Sequence, residues 1–237
     1  MKNVNMKIKN IFIDSWNIYK SNYIIMTQIM FIFLALFLFG LYVLNHWINF
    51  ELLQKTLESE SQEQFILFVN NLESNLPVHN LFLFLFAFYV FITGLFLGAV
   101  KISFLLQRGL PVKLDMLFSC FNQYLAVYLL GNILFNILIS ILQINIFIFQ
   151  ISLVLLSSFY PFIIIDQKIK NPIIALKNSF IMALNNISLT ALTYFIIFIS
   201  TITILLFTMG LGLIIILPFF LLCYTKLYLL IKNTQSV

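Results

Sequence analysis

The sequence predicts an all-α, polytopic integral membrane protein with six transmembrane helices, and two observations carry the prediction. Of the 237 residues, 62% are hydrophobic and 9% are charged, whereas soluble domains are about 25% charged. The charged residues are also confined to short segments that separate long apolar runs. Too few polar side chains are present to cover a water-exposed surface. This excludes a soluble enzyme, a nucleic-acid-binding domain and a disordered tail.

The lengths of the apolar runs determine the number of spans. The runs without Asp, Glu, Lys or Arg contain 30 residues after Lys20, 27 after Glu73, 50 after Asp115 and 48 after Lys177. A helix needs about 20 residues to cross the hydrocarbon core of a bilayer, so the first two runs hold one span each and the last two hold a pair each. Within a single membrane domain, 1–237, the predicted spans are 23–44, 81–102, 124–141, 146–165, 187–207 and 211–228.

The distribution of cations predicts the orientation of the chain. In this topology twelve of the 13 Lys and Arg residues lie on one side, and only Lys55 lies on the other. The positive-inside rule then places both termini in the cytoplasm and loop 45–80 on the opposite side of the membrane. The expected partners are the bilayer, with anionic lipids attracted to the cytoplasmic cations. Other membrane proteins are further candidates, and nucleic acid is not expected.

Segments that precede spans one, three and five are predicted to be amphipathic helices at the membrane surface. In the first segment, Lys side chains lie away from apolar residues at helical spacing: Val4, Ile8, Ile11, Phe12, Trp16 and Tyr19. The second segment has Leu114, Leu117, Phe118 and Phe121 after Pro111. The third is expected to start with Asn171 as the N-cap and Pro172 at the first helical position.

The same three segments suggest an internal repeat. Each ends at an asparagine just before its span, and each carries a polar residue seven positions earlier; the pairs are Ser15 and Asn22, Asp115 and Asn122, and Ser179 and Asn186. This spacing predicts three units, each made of an entry helix and two spans.

Span three carries a polar stripe. Asn132, Asn136, Ser140 and Gln143 recur at helical spacing and so share one face, and Gln150 in span four is a candidate partner. Two interpretations remain open. The favoured one is hydrogen bonding between helices, which is common in membrane bundles. The other is a polar lining for a solute.

Glycine and proline predict how some spans pack and bend. Gly94 and Gly98 form a G-x-x-x-G motif in span two, which predicts close approach of another backbone. Pro161 and Pro218 lie in spans four and six and are predicted to kink them.

The sequence predicts no catalytic, cofactor or metal site, and therefore no enzyme. It contains no H-E-x-x-H, P-loop or G-x-S-x-G motif. No ionisable residue lies at the centre of a predicted span, which argues against an ion-coupled transporter. His46 and His79 flank loop 45–80 and are interpreted as ordinary interfacial residues. Asp115 and Asp166 lie among lysines and are interpreted as helix caps and ion-pair partners.

Several segments together resemble the YciC family of uncharacterised inner-membrane proteins of Gram-negative bacteria. They lie along nearly the whole chain: Asn17-Ile18-Tyr19-Lys20-Ser21-Asn22, the Glu/Gln-rich loop, the Gly98 region, Asp166-Gln167-Lys168, Lys177-Asn178-Ser179 with Asn185-Asn186, and Lys226-Leu227-Tyr228-Leu229-Leu230-Ile231. The resemblance implies a six-span protein of the bacterial inner membrane, with loop 45–80 in the periplasm. It implies no established activity or catalytic residue, so none is assigned.

The expected function is a non-enzymatic, structural or accessory role in the bacterial envelope. The alternative is a facilitator or channel for a small polar solute, which would use the polar faces of spans three and four.

The topology is testable with reporter fusions in the bacterial membrane. A reporter fused at residue 60 should be periplasmic, and reporters at 110, 170 and 237 should be cytoplasmic, because the cations hold their loops inside. Alkaline phosphatase and green fluorescence read out the two sides. A cytoplasmic signal at residue 60 would contradict the predicted orientation.

Overall fold

The computed structural model describes the backbone of residues 2–47, 66, 78–141, 155–208 and 211–235. Within these ranges the regular structure is helical throughout and contains no strand, which confirms the all-α prediction. The helices are α1 (Lys2–Ser21), α2 (Tyr23–Trp47), α3 (Val78–Gln107), a 3₁₀ helix (Leu114–Cys120), α4 (Gln123–Ile141), α5 (Tyr160–Gln167), α6 (Pro172–Asn185), α7 (Ile187–Thr208) and α8 (Leu213–Gln235).

Four segments are long and apolar enough to cross a membrane: Tyr23–Leu44, Leu83–Gln107, Ile187–Thr208 and Leu213–Thr234. Each contains 22 to 25 residues, slightly more than the hydrocarbon core requires. They correspond to predicted spans one, two, five and six. The fold is therefore compatible with a membrane protein.

The two middle spans are described less fully. Predicted span three corresponds to α4. The 3₁₀ helix and residues Tyr124–Ile137 of α4 are bent by 58° relative to each other, and they would make a fifth crossing only if this bent pair is one span. Of span four, residues 146–154 lie outside the described residues; its remainder forms a helical stretch at 155–157, a turn at 158–159 and the first part of α5. Most of loop 45–80 also lies outside the described residues.

The chain divides into two compact units. The smaller unit, residues 32–92, holds the stacked rings of Phe84 and Phe88, whose centroids are 5.6 Å apart. In this unit Gly40 leaves room for the ring of Phe88, which a Cβ would approach to 2.8 Å. The larger unit, residues 1–31 with 93–237, contains the remaining contacts described below.

In the larger unit, α1 packs against α8 through part of its apolar face. Ile8, Ile11 and Tyr19 are buried, and the ring of Phe219 on α8 lies 5.5 Å from that of Trp16 and 6.4 Å from that of Tyr19. The sequence pattern predicts this face at the membrane surface. The structure instead covers much of it with protein, because α8 offers an apolar surface of its own.

The predicted repeat is visible at two of its three positions. The side chains of Asn22 and Asn186 each donate from Nδ2 to the carbonyl four residues earlier, at 3.0 and 3.2 Å, in the turn that separates entry helix from span. Ser15 and Ser179 are both fully buried. The second unit differs, because its entry segment is a 3₁₀ helix of only seven residues before the turn at Asn122.

Glycines permit two close contacts between helices. A Cβ on Gly98 would overlap the carbonyl group of Leu117 in the 3₁₀ helix, so the predicted backbone approach at the G-x-x-x-G motif is confirmed. On α4, a Cβ on Gly131 would overlap the hydroxyl of Tyr160. That hydroxyl donates to the carbonyl of Val127 at 2.6 Å, which ties α5 to α4.

Replacement of Gly98 by leucine should destabilise the protein by about 1–3 kcal/mol, because the 3₁₀ helix must shift to admit the side chain. The matched control is Ala87→Leu, an exposed position on the same helix, which should change stability by about 0.5 kcal/mol or less. Thermal unfolding in detergent, followed by size-exclusion chromatography, measures the difference. Equal stability of the two variants would contradict the close contact.

Candidate functional site

The most connected polar group in the described structure is the carboxylate of Asp166 on α5. Its side chain is 3% exposed, and it accepts hydrogen bonds from Arg108 Nη2 at 2.5 Å, Lys232 Nζ at 2.6 Å and Tyr228 Oη at 2.9 Å. Gln167 Nε2 also donates to Tyr228 Oη at 3.3 Å. We call Asp166, Arg108, Tyr228 and Lys232 the Asp166 cluster.

Local chain geometry places each donor. The carbonyls of Leu105 and Leu106 near the end of α3 accept from the amides of Leu110 and Gly109, and Gly109 adopts φ +69°. This is a Schellman ending, which glycine favours because it has no Cβ, and it leaves Arg108 as the last residue before the turn.

Helical spacing on α8 and the ending of α5 position the other members of the cluster. Tyr228 and Lys232 are four residues apart on α8 and therefore face the same side. α5 ends beside Asp166, at Lys168, which adopts a left-handed conformation with φ 54°. The endings of α3 and α5 and the spacing of residues on α8 thus bring the four side chains of the Asp166 cluster together.

Aromatic rings support the cluster from within. The ring of Tyr228 is buried, stacks on Phe162 at 5.9 Å and meets Phe104 edge-on at 5.5 Å. The Arg108 guanidinium lies 5.7 Å from the centre of the Phe104 ring, a favourable cation–π geometry. These contacts restrict the rotamers of two of the three donors, so Asp166 meets preorganised partners.

The cluster keeps Asp166 ionised. Burial raises the pKa of this carboxyl group, but the hydrogen bonds from Lys232 and Tyr228, the charge of Lys232 and the hydrogen bond from Arg108 outweigh it. The pKa therefore lies below its ordinary value of 3.8. The three donors come from the end of α3 and from α8, and the carboxylate that accepts them belongs to α5. The ionised carboxylate therefore holds the three helices together.

Beside the cluster lies an open groove of about 640 Å³, which we call the basic groove. Its lining consists of Gln107, Arg108, Lys226, Leu229, Leu230, Lys232, Asn233 and Thr234. The charged members of this lining are all cations. Lys226 also forms an ion pair with Asp14 of α1 at 2.8 Å.

The polar stripe predicted in span three is described only in part. On α4, Asn132 is half-buried and Asn136 is exposed. The side chain of Ser140 and both Gln143 and Gln150 lie outside the described residues. The predicted polar face between spans three and four therefore stays a prediction.

The two prolines occupy different helical positions. Pro161 lies in the first turn of α5, just after the turn at 158–159, where the missing N–H has no helical partner to lose. Pro218 lies inside α8, which continues past it to Gln235. A new helix thus begins at Pro161, whereas α8 continues on both sides of Pro218.

The sequence identifies only one member of the cluster. The prediction that Asp166 is an ion-pair partner is confirmed, but its donors were not foreseen because they lie 58, 62 and 66 residues away. An available signal was the single acid after span four, with Tyr228 at the end of predicted span six and Lys232 four residues later.

The other candidate residues form no site in the described part of the chain. Asp115 lies in the first turn of the 3₁₀ helix, and the side chains of His46 and His79 lie outside the described residues. Among the residues that the structure describes, no group of three or more His, Cys, Asp and Glu side chains could hold a metal ion.

Comparisons of the chain with family models, with curated proteins and with solved structures found no match. The function must therefore be inferred from the geometry and chemistry of the chain itself.

Substitution of Asp166 by asparagine should lower the free energy of unfolding by about 1–3 kcal/mol, because Arg108 and Lys232 lose their counter-charge; the loss stays below that of a fully buried pair since the two cations are 48% and 40% exposed. The matched control is Asp14→Asn, which removes an ion pair whose acid is 46% exposed and should cost under about 1 kcal/mol. Chemical denaturation in detergent measures both, and a larger loss in the control would contradict the cluster's role.

Acid should remove the same contribution. Because the folded pKa of Asp166 is lowered, its stabilisation is complete above the ordinary value of 3.8 and is lost as the pH falls through the folded pKa. We expect the stability difference between the natural protein and Asp166→Asn to be constant near neutral pH and to shrink below pH 3.8. Denaturation curves across the pH range measure it, and a difference that grows in acid would contradict the assignment.

Proposed function

We propose that the chain is a six-span protein of the bacterial inner membrane, with both termini in the cytoplasm and a non-enzymatic, structural or accessory role in the envelope. The observation that carries the proposal is the Asp166 cluster. Arg108 follows α3, Asp166 lies in the last turn of α5, and Lys232 lies in the last turn of α8. These helix ends lie at or just beyond the ends of predicted spans two, four and six. In a six-span chain that starts inside, these spans all end at the cytoplasmic face, so their C-terminal ends are the ones that can meet.

The cations of the cluster agree with the proposed orientation. Arg108 and Lys232 lie at this end, where the positive-inside rule expects them. A chain with an odd number of spans between Arg108 and Asp166 would place the two residues on opposite faces. Their ion pair therefore favours an even number.

The entry segments are proposed to lie at the same surface. On α6, one face is buried and includes Ala175, Ser179 and Met182, while another exposes Ile173 at 64% and Leu184 at 53%. An exposed apolar face beside cations such as Lys177 is typical of a helix at a bilayer surface. Anionic lipids are its expected partners, and other membrane proteins could bind the same side.

A supporting role also fits the chemistry of the cluster. Asp166 is buried, and the hydrogen bonds from three donors keep its pKa low, which makes it a weak general base.

The alternative is a facilitator for a small polar solute. Its support is the position of Asn132 and Asn136 on one face of an otherwise apolar α4, the first half-buried and the second exposed. Asparagine used only for packing would give the same pattern, so the first proposal is preferred.

The two functions separate in one experiment on the triple variant Asn132→Leu, Asn136→Leu, Gln143→Leu. For a structural role, the triple variant should unfold more easily in detergent, because the polar face joins helices, and solute flux should not change. The matched control is Thr203→Leu, an exposed polar position on α7.

Solute flux into liposomes is measured on the same proteins. If flux through the natural protein disappears in the triple variant, while the variant stays folded and Thr203→Leu conducts, the facilitator is correct and the structural proposal is wrong.

A further inference from the structure

The basic groove has the composition of an anion site. Arg108 approaches it from the end of α3, and Lys226, Lys232, Asn233 and Thr234 approach it from the last turns of α8. Three cations from two helices thus share one concave surface of about 640 Å³. The Thr234 hydroxyl donates to the carbonyl of Ile231 at 2.7 Å, so the three cations are the groups that would hold an anion.

The acids that pair with these cations do not line the groove. Asp166 is 3% exposed, whereas its partners Arg108 and Lys232 are 48% and 40% exposed. The carboxylate therefore lies behind the cations, and the cations face outward. An anion in the groove would meet positive charge first.

The cations also keep unused donors. A guanidinium has five N–H donors and an ammonium has three, and Arg108 and Lys232 each give one contact to Asp166. Asp14 and Asp166 supply two negative charges against the three positive charges of Arg108, Lys226 and Lys232. One positive charge in excess matches a monoanion.

The chemistry of these donors favours a phosphate group. A planar guanidinium beside ammonium groups matches phosphate oxygens, because Arg binds two of them and Lys adds a point charge. A phosphodiester carries one negative charge and is therefore the monoanion that the groove would neutralise.

The position of the groove indicates which phosphodiester. It lies at the C-terminal ends of two segments long enough to cross a membrane, Leu83–Gln107 and Leu213–Thr234. Leu229 and Leu230 add apolar surface to the lining, which suits the acyl chains of a lipid better than a free ion. We propose that the basic groove binds the phosphodiester headgroup of an anionic glycerophospholipid. This inference rests on the proposed membrane location, in which the groove lies at headgroup level in the cytoplasmic leaflet.

The test uses the full chain, purified in dodecyl maltoside, and calorimetric titration with soluble short-chain lipids. Dioctanoyl phosphatidylglycerol should bind more tightly than dioctanoyl phosphatidylcholine, which has no net charge, and more tightly than inorganic phosphate. Lys226→Gln should weaken binding of phosphatidylglycerol about fivefold or more. Its fold should persist, because the ion pair with the exposed Asp14 contributes little.

Two further variants make the test specific. Lys170→Gln removes an exposed cation that does not line the groove and should change the affinity by less than about twofold. Arg108→Lys keeps the charge beside Asp166 but loses the planar fork, and should also weaken binding about fivefold or more.

The outcomes separate the sources of phosphate. Binding of phosphatidylglycerol that Lys226→Gln and Arg108→Lys weaken, and Lys170→Gln does not, supports the proposal. Inorganic phosphate bound as tightly as the lipid would overturn the lipid as occupant. No binding, or equal losses at Lys226 and Lys170, would overturn the site itself. These titrations in detergent do not depend on topology, so a failed site and a failed six-span model give different results.

Discussion

The buried carboxylate of Asp166 is the constraint on which the cytoplasmic end of the proposed structure depends. A carboxylate that is 3% exposed is tolerable only when charged donors satisfy it. That requirement joins the end of α3, through Arg108, to α5, and joins both to α8 through Tyr228 and Lys232. The same arrangement turns the outer sides of Arg108 and Lys232 towards the basic groove. Structural support and the proposed lipid site therefore share residues, with the acid facing inward and the cations outward.

Away from this cluster, helices are joined by close contacts at small residues and by single hydrogen bonds. If the chain is dissolved in lipid, the hydrophobic effect gives little preference for one helix over another, and dispersion at small residues matters more. Such close contacts occur where Gly98 meets the backbone of Leu117 and where Gly131 meets the hydroxyl of Tyr160. The buried pair Ser103 and Thr225, 2.6 Å apart, adds a hydrogen bond between α3 and α8. These small side chains allow distances that larger ones would prevent.

The amphipathic pattern of α1 is compatible with contact to protein and with contact to lipid. Its apolar residues predict a helix that covers an apolar surface, and the pattern contains no information about which surface that is. In the structure Ile8, Ile11 and Tyr19 are covered by protein, and α8 contributes Phe219 to this contact, while Met6 and Ile13 stay exposed. The exposed residues remain available for the lipid contact proposed for the entry segments.

The sequence alone determined that the chain is helical and where its longest apolar helices lie, because charge-free runs of 27 to 50 residues leave few alternatives for the backbone in lipid. It also indicated Asp166 as an ion-pair partner and Gly98 as a point of close approach, since both depend on local residue type. The donors to Asp166, the burial of α1 on α8 and the basic groove were decided by the tertiary structure. They join residues 58 or more apart in the sequence, and helical periodicity predicts which side chains share a face but not which faces meet.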